Sequence, residues 1–324
     1  MKKLSVKVLV LVLVIATITV CALSFSACSN NQQTIGIIKF GEHDSLNDCY
    51  EGIVAGLQEG LGDAFANYKI DLQNSNFDAS VSAAQANTLV SKNVALIGAI
   101  ATPSAVAAAS AAKGTIPVVY CAVSDPAAAG LSDMANVTGS SDLLDFDGQL
   151  ALIKKFIPTV SKIGVLYTLG EANSISQIAT LEAKANALGI TIEKQAITNA
   201  SEIPTATDTL LTKDIDCITN LTDNTVVGAL DIIIAKTNAA NIPVFGSEID
   251  QVKNGCIASA SLDYKALGKE TGLIMAKILK GEVTASNDIA IQVKDSFNCY
   301  STKVATALGI AIPEGAGQDV DLQA

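Results

Sequence analysis

The chain has 324 residues, 49% of them hydrophobic, and carries 32 acidic against 21 basic residues, for a net charge of −11. Such a balance excludes nucleic-acid binding by charge. All the basic residues are lysine, so a bidentate guanidinium clamp on a carboxylate is unavailable.

At the amino end, Lys2, Lys3 and Lys7 precede the apolar run Val8 to Leu23, and small residues lead into Cys28. This is the layout of a secretory signal peptide over residues 1–27. The stretch Phe25-Ser26-Ala27-Cys28 resembles a bacterial lipobox, with Phe25 where leucine is usual. Cys28 would then carry the lipid, residues 28–33 would form a tether, and the lipid alone would hold the chain to the membrane. The alternative is a retained anchor, although a 16-residue apolar run is just short of the usual span. Cleavage leaves 18 lysines against 32 acids, a net charge of −14, on a chain long enough for two lobes with a core each. The five remaining cysteines are Cys49, Cys121, Cys217, Cys256 and Cys299. Their odd number and wide spacing argue against a disulfide framework or a zinc site, and no metal or cofactor is expected.

In chain order, Thr34 to Phe40 reads as a strand that ends in the loop Gly41-Glu42-His43-Asp44-Ser45 before a helix over Leu46 to Leu61. Lys69 to Gln73 is a second strand and Asp78 to Lys92 a helix. Val94 to Ile100 is short, apolar and uncharged, as in a parallel strand covered on both faces. It stops at Thr102-Pro103-Ser104, where either hydroxyl can cap the alanine-rich helix Ala105 to Lys113. The junction offers free N–H groups and a positive dipole end at the carboxyl edge of a sheet, a candidate carboxylate site. Glu42 and His43 would face the same crevice; His43 is the chain's only histidine and is either structural or a ligand contact. After the strand Ile116 to Cys121, the stretches Val123-Ser124-Asp125-Pro126 and Asn136 to Asp142 read as polar loops. Asp142, Asp145 and Asp147 lack the glycine and terminal glutamate of an EF-hand loop. They read instead as first-turn carboxylates of a helix from about Asp142 to Ile157.

The alternation then repeats. Lys162 to Tyr167, Ile190 to Gln195, Asp216 to Asn220 and Ile242 to Phe245 are strands, with helices ending at Leu188 and covering Ser201 to Lys213. Asn173 is a helix cap or a ligand contact. Asp216 to Leu230 aligns without gaps on Ala95 to Ala109, which sets Asp223 on Thr102 and Thr225 on Ser104. One lobe thus offers hydroxyls at a helix start and the other a carboxylate able to receive an ammonium; the plainer reading is two ordinary capped helices. Cys256 to Ser261, the helix Tyr264 to Lys280 and the strand Ile289 to Val293 find no partners if each lobe is contiguous. The chain is therefore expected to recross, giving an α/β fold of two doubly wound parallel-sheet lobes joined by a multi-strand hinge. Residues 34–146 with about 260–288 would form one lobe, and 147–259 with about 289–324 the other.

Several stretches together carry a family resemblance. They are Glu42-His43, Ala101-Thr102-Pro103-Ser104, Ala122-Val123-Ser124-Asp125-Pro126 and Thr138-Gly139-Ser140-Ser141-Asp142 in the first half. In the second half they are Gly164 to Tyr167, Glu171-Ala172-Asn173-Ser174, Thr222-Asp223-Asn224 and Ile242 to Ser247. On these the mature chain resembles substrate-binding lipoproteins of ABC importers, of the tryptophan/tyrosine-binding type with a periplasmic-binding-protein type I fold. The resemblance implies a monomeric, surface-anchored protein that captures a small, aromatic amino acid and delivers it to a permease powered by a separate ATPase. Within that frame, Thr102, Ser104 and Ser124 would hold the carboxylate, and Asp223 and Glu248 the ammonium. Glu42, His43, Asn173 and Asn224 would meet the side chain, with Asp125 and Ser140 also lining the site. Relatives more often carry aspartate at the Glu248 position.

An enzyme is the competing class. The chain has no GxSxG elbow, HExxH helix, Walker A loop or GxGxxG fingerprint. A two-cysteine racemase would have to use Cys121 and Cys217, which fall inside strands rather than at their ends.

Overall fold

A computed structural model describes residues 32–293 and 296–323. The signal peptide, the lipobox with Cys28 and most of the tether lie outside the described residues. Among the described residues no helix is long and apolar enough to cross a membrane.

The first lobe runs β1 (Gln33–Lys39), α1 (Asp44–Leu61), β2 (Tyr68–Asn74), α2 (Ala79–Ser91), β3 (Leu96–Ile100), α3 (Thr102–Ala112), β4 (Val118–Cys121) and β5 (Val137–Asp142). After an excursion into the second lobe the chain returns as α10 (Tyr264–Leu279) and β11 (Ile291–Val293). The strands form one parallel sheet in the order β2-β1-β3-β4-β5-β11. Alternate residues of each strand feed two cores. Ile35, Ile37, Leu96 and Val119 pack under α1 and α10, while Ile38, Ile97, Val118 and Tyr120 pack under α2 and α3. Each fully buried isoleucine contributes about 1.5–3 kcal/mol.

The second lobe holds α4 (Phe146–Phe156), β6 (Lys162–Thr168), α5 (Ala172–Ala187), β7 (Thr191–Ile197), α6 (Ile203–Leu211) and β8 (Cys217–Thr219). It continues through α7 (Asn224–Val227), α8 (Leu230–Ala239), β9 (Val244–Phe245), α9 (Ile249–Lys253) and β10 (Ala258–Ser261), and ends with β12 (Phe297–Tyr300), α11 (Thr302–Ala307) and β13 (Gln318–Asp319). Its order, β7-β6-β8-β9-β10-β12-β13, repeats that of the first sheet, with β12 antiparallel to β10. The internal repeat is thus topological: β3 and β8 hold equivalent central places, as do β4 and β9.

The chain crosses between lobes after β5, after β10 and after β11. The segment 289–293, expected in the second lobe, instead extends the first sheet, because β11 pairs in parallel with β5. A second correction concerns Asn136 to Asp142. This polar stretch is not a loop but the buried strand β5, and Asp142 closes it rather than opening a helix. Asp145 is the residue that caps α4, accepting from Gly148 N at 2.8 Å.

The return helix α10 is pressed onto α1 through small residues. A Cβ on Gly56 would stand 2.1 Å from the Lys269 carbonyl oxygen, and one on Gly272 2.3 Å from that of Ile53. Only glycine permits that approach, which brings the starts of both helices, Ser45 and Tyr264, to the junction between the lobes.

Candidate ligand site between the lobes

The carboxyl ends of both sheets face one crevice, the place where open α/β sheets bind ligands. A cavity lies there, lined from both lobes. The first lobe contributes the opening turn of α1 (His43, Ser45, Leu46), Ala122 and Asp142, and Tyr264 enters from α10. The second contributes Asn173, Thr222, Asp223, Asn224 and Val227 on one side and Ser247, Glu248 and Gln251 on the other. Direct bonds join the lobes around it. Ser124 Oγ lies 2.9 Å from Thr222 Oγ1, Ser176 Oγ donates to Asp125 at 2.5 Å, and Asn254 Nδ2 donates to Asp44 at 2.8 Å.

Three carboxylates line this space, and no lysine does. Asp142 accepts one hydrogen bond on each oxygen, from Ser124 Oγ at 3.0 Å and from Tyr264 OH at 2.7 Å. Burial pushes its pKa up to about 6 against the pull of those two hydroxyls. Asp223 caps α7 and has two protein donors on each oxygen: Thr168 Oγ1 and Val226 N on one, Thr168 N and Ser174 Oγ on the other. Burial, and then the neighbouring Glu171, raise it to about 7. Glu248 caps α9 through Asp250 N and Gln251 N; burial, and then Asp250, raise it to about 8. Asp142 and Glu248, with one donor on each oxygen, keep more acceptor capacity for a cation than Asp223, and of the two Asp142 has the lower pKa.

Glu171 explains part of the second wall. Its carboxylate accepts from the N–H and side chains of Asn224 and Thr225, fixing α7 against the start of α5. Asn173 donates to Thr222 O at 2.8 Å, and its Oδ1 is buried without a partner. His43 occupies the N-cap position of α1 but makes no side-chain cap bond. Among the described residues, no acceptor is found for the N–H groups of Ser45 and Leu46, so an 18-residue helix presents uncapped donors to the cavity. Both nitrogens of the His43 ring are buried and unpartnered; burial lowers its pKa to about 4, while Asn224 and Asp44 act in the opposite sense.

Of the residues expected from sequence, His43, Asn173, Asp223, Asn224 and Glu248 line the cavity, and Ser124 stands one layer behind, bonded to Asp142. Five do not reach it. Glu42 is an exposed partner of Lys39 and Asn74. Asp125 caps a turn at Ala128 and bonds Ser176, and Ser140 is bonded to Thr271 behind β5. Ser104 is fully buried with no partner, and Thr102 faces a separate groove between α3 and Ala172. The expected cap at Thr102 or Ser104 does not form, because Ala101, at φ 76°, takes the N-cap position and Thr102 becomes the first helical residue. The helix start that opens on the cavity is that of α1 and not of α3.

Sequence reasoning gave no site role to Asp142, Tyr264, Ser45, Thr222, Ser247 and Gln251. Asp142, Thr222 and Ser247 stood inside the quoted family stretches; for Tyr264 the signal was its place directly after a crossing point. The two cysteines of the racemase reading stand at strand ends and not inside the strands as expected, since Cys121 closes β4 and Cys217 opens β8, but both are fully buried and they belong to different sheets.

Residues 34–318 match the family model described as ABC transporter substrate binding protein. A tyrosine-binding protein from Clostridioides difficile is 36% identical over 273 residues, covering 82% of this chain and 78% of that protein. Among the solved structures that share 33% identity with the chain are two of stated ligand state. A domain from Streptococcus pneumonia in complex with L-Trp superposes with a TM-score of 0.83, covering 88% of this chain and 97% of that one. The ligand-free, open structure of a substrate-binding protein with adhesive properties from Clostridium difficile covers 89% and 98% but scores 0.66. At equal identity the chain follows the liganded shape more closely, in keeping with its bonded lobes. On its fold, its interlobe cavity and these matches, the chain belongs to the ABC transporter substrate-binding protein family.

Proposed function

We propose that the protein captures a free aromatic L-amino acid outside the cytoplasm and presents it to an ABC permease driven by a separate ATPase. The observation that carries this reading is a cavity between the lobes with three buried carboxylates and no lysine. Such a site is incomplete without a cation, and an α-ammonium supplies one. Asp142 receives the ammonium. The ligand carboxylate meets the uncapped N–H groups of Ser45 and Leu46, where the dipole of α1 favours negative charge. The side chain lies among Leu46, Val227, Ala122 and the His43 ring, and the unpartnered Asn173 Oδ1 accepts from a phenolic O–H or an indole N–H. The tyrosine-binding relative and the L-Trp complex support the same ligand class. In this reading the signal peptide is removed, a lipid on Cys28 tethers the chain at the outer face of the membrane, and a monomer suffices because one chain builds the whole cavity.

The chain contains no tryptophan, so free L-tryptophan is the only indole in a binding mixture. Titration should produce a saturable blue shift of its emission, reversed by L-tyrosine. Absence of a shift, together with no rise in melting temperature on adding L-tyrosine or L-phenylalanine, would sink the aromatic assignment.

A further inference from the structure

One aromatic ring at the cleft has no role in the cavity itself. Phe77 sits in the turn between β2 and α2, two residues into a left-handed stretch with φ 49° at Asn76 and 62° at Phe77. A bulky residue with positive φ is an outlier that persists only where its surroundings impose it. The imposing contacts are explicit. Phe77 N donates to Phe40 O at 2.8 Å, and Phe40 meets the ring edge to face at 5.9 Å between centroids. The ring lies on Gly41, where a Cβ would come within 2.1 Å of it. It also runs parallel to the His43 ring, at 6.2 Å and 5°. Its far edge then crosses to the other lobe: a Cβ on Gly228, directly after α7, would lie 2.8 Å from Phe77 Cζ. Gly228 has φ −62°, a value any residue adopts, so its own backbone does not demand glycine; the incoming Phe77 ring does.

We infer that Phe77 is a positioning residue for capture, a bolt whose ring backs the His43 imidazole and seats on Gly228 when the lobes close. The inference rests on the reading of the interlobe cavity as the capture site. Ligand closure and side-chain placement are then one event. As α7 swings in with Asp223 and Asn224, Gly228 docks on Phe77 and clamps the ring that forms the cavity wall at His43. Within its own lobe a Cβ on Gly228 would meet the Asn224 carbonyl oxygen at 3.2 Å, whereas the shorter contacts, at 2.8 and 3.0 Å, are with Phe77 across the cleft, so alanine there obstructs chiefly the closed state.

The test is lobe closure followed by small-angle X-ray scattering. A mixture of the twenty L-amino acids is added, so that the readout does not depend on which one binds. Wild type should contract. Gly228→Ala should stay extended, with at least tenfold weaker L-tyrosine binding and an unliganded melting temperature like wild type. The double variant Gly228→Ala with Phe77→Ala should contract again, since the obstruction is gone. A Gly228→Ala chain that contracts like wild type, a double variant that stays extended, or a wild type that never contracts would each overturn the inference. Contraction by the mixture but not by L-tyrosine, L-tryptophan or L-phenylalanine alone would remove the aromatic assignment and leave the bolt standing.

Discussion

Asp142 and Asp223 are both buried carboxylates on the same cavity, and counting donors separates their roles. Asp223 is satisfied by four protein hydrogen bonds, so its work is to fix the start of α7. Asp142 has one donor per oxygen, and Asp142→Asn should weaken L-tyrosine binding by about 2–5 kcal/mol, the usual loss on breaking a buried charge pair. Calorimetric titration checks this, and unchanged affinity would contradict it. Protonation gives a second prediction. With Asp223 raised to about 7 and Glu248 to about 8, the folded chain binds more protons than the unfolded one, and stability is lost as pH rises through those values. His43 acts oppositely, since its depressed pKa loses stability as pH falls from 6.5 toward about 4. Above pH 6.5 only the carboxylates act, so the unliganded chain should melt lower at about pH 8 than at pH 6.5, and a rise across that interval would count against buried ionisable groups. As the sole histidine, His43 should also give one imidazole proton resonance that does not titrate above about pH 5. Residue types at the site were partly legible. Asp223 and Glu248 stood out after apolar strands, but Asp142 was hidden because three nearby aspartates read as a solvated helix start.

Elements were easiest to read where the chain is apolar. The runs Val94 to Ile100 and Lys162 to Tyr167 contain strands because both faces of a parallel strand are buried. β5 escaped because Val137–Asp142 is built from small polar residues whose hydroxyls bond within the protein, as Ser140 does to Thr271. Gly139 is required there, since a Cβ would strike the Tyr120 carbonyl at 2.1 Å. The α1–α10 pair could not be foreseen, because glycines four apart on two helices signal close approach only once the partner is known. Its prediction is that Gly272→Ala destabilises by about 1–3 kcal/mol through overpacking, although alanine favours a helix by about 1 kcal/mol. Gly170→Ala, with no atom within 4 Å, should stay within about 0.5 kcal/mol. Urea unfolding of both variants checks the pair, and equal effects would show that the contact is not close.

At the scale of the whole molecule, the gapless match of Asp216 to Leu230 on Ala95 to Ala109 was the most informative feature of the sequence, because a repeated strand-turn-helix implies two sheets of one topology. The hinge was legible only in outline. The short segment β11 carries no signal of which sheet it joins, and it chose the first. Two like lobes meeting at their strand ends bring the start of α1 and the carboxylates Asp142, Asp223 and Glu248 to one cavity, and under the proposed function that convergence is how a chain without arginine would hold a zwitterion. The most direct measurement is a crystal structure of the protein grown with L-tyrosine. The account predicts the amino acid enclosed between the lobes, its ammonium on Asp142 and its carboxylate on the first turn of α1. An amino acid bound with its ammonium away from Asp142, or outside this cavity, would contradict it.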